Sequence, residues 1–135
     1  MQEKSPKDLF LESLDRCTQF EDFVPSFYKR FMASSDEIQQ KFRFTDFEIQ
    51  NRMLLRSLRL TAMATEGDKK GLRELTERAK THNRDHLNIK PELYDHWKIA
   101  VTETAKEFDD KWSESVEKAW DKILGYVINH MARKY

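Results

Sequence analysis

The chain carries one cysteine, Cys17, and only three glycines and three prolines among its 135 residues. A single thiol excludes an internal disulfide and fits a reducing compartment. So few turn-formers leave too little material for the frequent reversals of an all-β protein. Net charge is missing too: 24 Lys plus Arg against 24 Asp plus Glu leave no field to recruit nucleic acid or an anionic membrane. No apolar run reaches the length of a membrane span, and the opening MQEKSPKDLF lacks the apolar core of a signal peptide. Signature motifs of common catalysts are absent as well: no Gly-rich loop before Lys-Ser/Thr, no GxSxG, no HExxH, no paired CxxC. The expectation is a soluble, cytoplasmic protein of one domain spanning 1–135, with neither nucleic acid nor a membrane as partner.

What the chain does contain is amphipathic helix. Hydrophobic residues make up 39% and charged residues 36%, a balance that suits helices with wet outer faces. Nine Phe, four Tyr and three Trp predict a bulky core, one that a bound apolar ligand would help complete. Ser5-Pro6 reads as a helix start, a hydroxyl cap followed by Pro at the first helical position. Phe10, Leu14 and Cys17 follow at helical spacing, with Phe20 closing the helix. A second helix begins near Asp22, with Phe20, Phe23, Val24, Phe27 and Phe31 on one face and Tyr28 beside it. Ser34-Ser35 ends it and caps a short helix containing Ile38 and Phe42. Thr45-Asp46-Phe47-Glu48 reads as a capping box opening a long helix to about Thr65, with Phe47, Leu54, Leu58 and Ala62 inward. After Gly67-Asp68 and Gly71, the residues Leu72, Leu75, Ala79, His82 and His86 share a face at spacings of three and four. A break from Asn88 to Pro91 precedes a stripe of Tyr94, Trp97, Val101 and Phe108. A last helix, capped by Asp109-Asp110, turns Trp112, Val116, Ala119, Ile123, Val127 and Met131 inward. The total is an all-α fold of about seven helices. The charged runs Glu66–Lys70 and Arg73–Lys80 read as solvated faces.

Chemistry concentrates in a few uncharged polar residues. Gln50 falls three residues after Phe47 and four before Leu54, placing an amide inside an apolar stripe. A buried amide without a partner costs about 1–3 kcal/mol. Tyr28 raises the same question from the second helix. His82 and His86, four apart, could chelate a metal, but the further ligands of a structural zinc site are not near in sequence. Two neutral donors facing a neutral imidazole in an aromatic pocket suit an iron-bound diatomic gas. Buried Cys17 reads as inert, His96 and His130 read as structural or exposed, and the three tryptophans read as core and helix-contact residues.

At this point the chain resembles a family. FYKRFMASSDEIQQKF, the helix carrying Gln50 and Leu54, THNRDHLNIKPELY and EKAWDKILGY together resemble the bacterial single-domain globins, relatives of the globin portion of flavohaemoglobins. The resemblance runs from about Leu9 to Met131. It implies a globin fold packed around haem b, with His82 as the proximal iron ligand. It also implies Tyr28 and Gln50 as distal donors to the gas, and Phe42, Leu54 and Tyr94 against the haem. The implied function is reversible dioxygen binding, storage or transport. The alternatives are nitric oxide dioxygenation with a separate reductase, and a haem-based sensor of dioxygen, nitric oxide or carbon monoxide. A plain helical interaction module without haem is the reading outside the family. Assembly is expected to be monomeric or homodimeric.

Two departures from flavohaemoglobins stand out. The segment between His82 and LNIKPELY is two residues longer, which keeps His86 as a second candidate for the iron. The glutamate that buttresses the proximal histidine there has no counterpart in the last helix, where INHMARKY follows Val127. No flavin or nicotinamide domain is expected on a chain ending at Tyr135.

Overall fold

The computed structural model describes residues 4–135, so the expectations resting on Met1 to Glu3 (the leader, and the first residues of the domain) lie outside it. Seven helices follow one another: α1 (Pro6–Cys17), α2 (Phe23–Ala33), α3 (Asp36–Lys41), α4 (Phe47–Ala64), α5 (Lys69–His82), α6 (Pro91–Phe108) and α7 (Glu114–Arg133). No strand occurs among the described residues, and none of these helices is long and apolar enough to cross a membrane. Most starts have a visible cause. Ser5 Oγ accepts the Asp8 amide at 3.1 Å just ahead of Pro6. Asp68 accepts the Gly71 amide at 2.9 Å, and Ser113 the Val116 amide at 3.2 Å. Each satisfies one of the amides that a helix start leaves unpaired.

α1 packs on α7, α2 on α6, and α4 along α5. The shared core holds Phe10, Leu14, Phe23, Phe27, Trp120, Ile123 and Leu124, all at or below 1% exposure. Phe10 lies 4.5 Å from the Trp120 ring, centroid to centroid. Cys17 is buried here, its thiol directed at the Ala105 carbonyl, and burial pushes its pKa up to about 12, which leaves an inert thiol.

Gly71 sets how closely α4 and α5 approach. A Cβ there would sit 2.2 Å from the Leu60 carbonyl oxygen and 2.6 Å from the Ala64 nitrogen, both backbone atoms that cannot swing away. Only glycine allows this crossing.

Several local expectations give way to tertiary structure. α1 ends at Cys17, and Phe20 is 51% exposed rather than part of the α2 face. α4 is capped by Asp46, which accepts the Glu48 and Ile49 amides, and not by a Thr45–Glu48 box. Leu72 is 39% exposed because Gly71 takes its place against α4. Asp109 does not cap the last helix; Ser113 does. Asp109 is instead buried after α6, where it accepts Ser13 Oγ at 2.6 Å, Arg16 Nη2 at 2.9 Å and the Lys111 amide at 2.9 Å. Burial pushes its carboxyl up, but the hydrogen bonds from Arg16, Ser13 and Lys111 outweigh that and hold it below the usual range.

Candidate functional site

Tyr28 stands on the inner face of α2, only 3% exposed. Phe42, just past α3, and Phe47, opening α4, meet its ring edge-on at 5.5 and 5.4 Å and lie 6.0 Å apart. The Phe27 ring lies 4.7 Å from that of Tyr28, tilted against it. Such edge-to-face packing suits the ring quadrupoles and excludes water. Burial pushes the Tyr28 hydroxyl up to about 12, and a hydrogen-bonding interaction with the Gln50 side chain draws it part of the way back. The phenol therefore stays protonated, a donor, at any physiological pH. Gln50 is half-buried one turn along α4 from Phe47, and half-buried Leu54, one further turn on, packs against the main core.

A second group forms where α5 ends. His82 is the last residue of α5 and is half-buried. Its Nδ1 lies 3.4 Å from the hydroxyl of Tyr94 in the first turn of α6, the one hydrogen-bond contact of this ring among the described residues. Burial, helped by the charge of Arg78, lowers its pKa to about 4. At neutral pH the imidazole is uncharged, with Nε2 free to bind a metal. Ala79, Tyr94 and Met131 form a small buried cluster here, and Ile89 packs both on it and on the main core that contains Tyr28.

Helix geometry explains why these groups belong together. Gln50 is ten residues along α4 from Leu60, and His82 eleven along α5 from Gly71. Both therefore lie about 15–17 Å from the crossing point at 1.5 Å per residue. A four-residue connection makes the two helices double back, so both residues arrive at the same end of the pair.

The structure separates the two histidine candidates. α5 stops at His82, with Asn83 extended after it, so His86 does not continue its face. His86 is exposed in the following turn, its Nδ1 2.7 Å from Asn83 Oδ1. His130 is half-buried near the end of α7, its pKa lowered by burial and by Arg133 and Lys134. No three His, Cys, Asp or Glu side chains gather as a metal site among the described residues. Arg78 and Glu74, read from sequence as part of a solvated run, are half-buried and paired at 2.9 Å. The spacing of four between Arg78 and His82 was the available signal. Ile89 was missed because it lies in a loop, where periodicity says nothing.

No protein-family model matches the chain, and no curated protein matches its sequence. A solved structure does. The crystal structure of a Pseudomonas aeruginosa PAO1 protein, described as structurally highly homologous to a human haemoglobin, superposes with a TM-score of 0.91. The two are 30% identical over 97% of this chain and 98% of that one. Seven helices in this order, matched along nearly their whole length at that identity, carry the family as well as the fold: the chain belongs to the bacterial single-domain globins.

Proposed function

We propose that this globin binds haem b and reversibly binds dioxygen, with His82 as the residue that would hold the iron. What supports the reading is a neutral, half-buried imidazole at the end of α5, a buried phenol on α2 and a half-buried carboxamide near the start of α4, the end that helix length and the short turn bring toward the end of α5. The donor set fits the group. His82 turns Nδ1 toward Tyr94, leaving the Nε2 lone pair for iron. Phe42 and Leu54 offer apolar surface to a porphyrin on the Tyr28 side, and Tyr94 does so beside His82. When bound, the haem iron supplies an open coordination position for a diatomic gas. Tyr28 and Gln50 would present hydrogen-bond donors to a gas taken up in this pocket, and the rings of Phe27, Phe42 and Phe47 would keep water out.

Carriage is favoured over oxygen activation by the partner of His82. A carboxylate at Nδ1 would raise the basicity of the imidazole and push electron density to the iron. The neutral phenol of Tyr94, the one hydrogen-bond contact of this ring among the described residues, does so weakly. Nitric oxide dioxygenation with a separate reductase is the rival, separable by measuring nitric oxide consumption with a reductant present. The primary test is the absorption spectrum after incubation with hemin, then with dithionite and carbon monoxide. A porphyrin band that shifts with each addition supports the reading, and a preparation that stays colourless ends it.

A further inference from the structure

The two-residue extension after His82 is held by the far end of the chain. Residues 83–90 fold back on the last turn of α5: the Leu87 amide donates to the Thr81 carbonyl at 3.0 Å, and the Ile89 amide to the His82 carbonyl at 2.9 Å. These carbonyls belong to the set that a helix end leaves without intrahelical partners. Between them sits Asn88, the one non-glycine residue with positive φ among the described residues, at 52°. Asn tolerates this left-handed conformation better than most residues, but it still needs support from its surroundings. That support comes from two sides. Its amide donates to the Asn83 carbonyl at 2.8 Å, and its side-chain oxygen accepts the hydroxyl of Tyr135.

Tyr135, two residues past α7, is itself tied down. Its main-chain oxygen accepts the Arg84 Nε at 3.2 Å and the Arg84 amide at 3.4 Å, and the Arg84 guanidinium lies 4.8 Å above its ring. The tyrosine thus grips the loop at both ends, near the residue that follows α5 and at the left-handed turn. α7 shares the small Ala79–Tyr94–Met131 cluster next to His82, so the grip is anchored in the same region.

We propose that Tyr135, with Arg84 and Asn88, is a positioning residue for His82: it fixes the loop whose amides cap the last turn of α5 and so holds the imidazole against the iron. The inference rests on the haem reading above, because a position for His82 matters only if His82 binds iron. Without the grip the last turn frays, the Ile89 amide releases the His82 carbonyl, and the ring loses its fixed orientation.

The test compares Tyr135→Phe, which removes the hydroxyl but keeps the ring over Arg84, with Tyr135→Ala, which removes both. Amide hydrogen exchange at residues 87–89 of the haem-free protein should quicken by about tenfold in Tyr135→Phe and more in Tyr135→Ala. In the haem-loaded ferrous protein, the iron–histidine stretching band should shift or broaden, and haem loss to an acceptor globin should quicken by about tenfold, the usual scale for a partner that orients a ligand. Ser13→Ala, which breaks the remote Asp109 network, should lower stability without moving the band. An unchanged band and unchanged exchange in both Tyr135 variants would overturn the proposal while leaving the haem reading intact. A wild-type chain that takes up no hemin would overturn both.

Discussion

Tyr28 sits in the middle of a helix, 3% exposed, among three phenylalanine rings contributed by α2, the end of α3 and the start of α4. His82 sits at a helix end, half-buried, beside a cluster of three buried residues and a loop that closes on it through backbone amides. The surroundings of Tyr28 belong to the main core and are stabilised by apolar burial at about 25 cal/mol per Å². Those of His82 depend on hydrogen bonds that a loop must reach back to make. The difference teaches where each kind of change should register. On the proposed reading, substitutions on the Tyr28 side should alter what the pocket does to a gas and leave the chain loaded. Substitutions on the His82 side should decide whether the chain is loaded at all.

The sharpest way to break that contrast is to exchange the two histidine candidates. His82→Ala is expected to lose most of its haem, with affinity falling by more than the roughly 10- to 100-fold that loss of a supporting partner costs. His86→Ala, which removes an exposed ring bonded only to Asn83 among the described residues, should keep it. Haem content after gel filtration reads both, and the reverse pattern would move the iron to the loop.

Acid should expose the same asymmetry in the haem-free protein. The folded-state pKa of His82 is lowered from 6.5 to about 4. Between those values the unfolded chain takes up a proton that the folded chain refuses. Stability is therefore full above pH 6.5 and is lost as pH falls toward 4, by up to about 3 kcal/mol. Urea titrations at pH 7, 5.5 and 4.5 should show the loss, and His82→Ala should flatten it. The Tyr28 hydroxyl, at about 12, contributes nothing to this window. A slope unchanged by His82→Ala would mean that other groups set the acid limit.

Gly71 joins the two sides, because it fixes how α4, bearing Gln50, meets α5, bearing His82. Gly71→Ala drives a methyl group into the Leu60 carbonyl oxygen and the Ala64 nitrogen, and should cost about 1–3 kcal/mol of stability as an overpacked contact. Thermal melts measure it. If the helices part to admit the methyl group, the haem spectrum and gas release should change together. A melting point as in the wild type would show that the crossing has slack.

How much of this was legible beforehand follows the same division. Tyr28, Gln50 and Leu54 lie inside helices, where spacing alone fixes the face, and the placement of Gln50 within the stripe of Phe47 and Leu54 agrees with the structure. About seven helices were expected and seven are present among the described residues. Spacing failed wherever a helix ended. It carried α5 on through His86, although the chain leaves the helix at Asn83 to let residues 87–89 bond back. It read Asp109 as a cap, although its partners are Ser13 and Arg16, about ninety residues away in sequence. It read Arg78 as solvated, although Glu74 accompanies it into a half-buried position. In the first two cases the deciding contact is long-range or involves backbone groups that carry no side-chain signature, and in the third a local pair four residues apart is carried inward by packing that spacing does not reveal.

The smallest expected effect is the most informative about the Tyr28 side. Tyr28→Phe keeps the ring against Phe42 and Phe47 and removes only the hydroxyl. At about 1–1.5 kcal/mol for one hydrogen bond, dioxygen release should quicken about 5- to 10-fold, with haem content unchanged. Gln50→Leu should have a similar effect if the amide donates independently. The phenol and the amide also interact with each other, so the double variant need not equal the product of the two. Stopped-flow release rates for the four proteins close a double-mutant cycle. A coupling near zero would assign two separate donors to the gas. Strong coupling, with either single variant nearly as fast as the double, would mean that Gln50 acts by orienting the Tyr28 hydroxyl. An off-rate unchanged in Tyr28→Phe would leave the phenol a packing residue, and the contrast between the two sides would lose its chemical half.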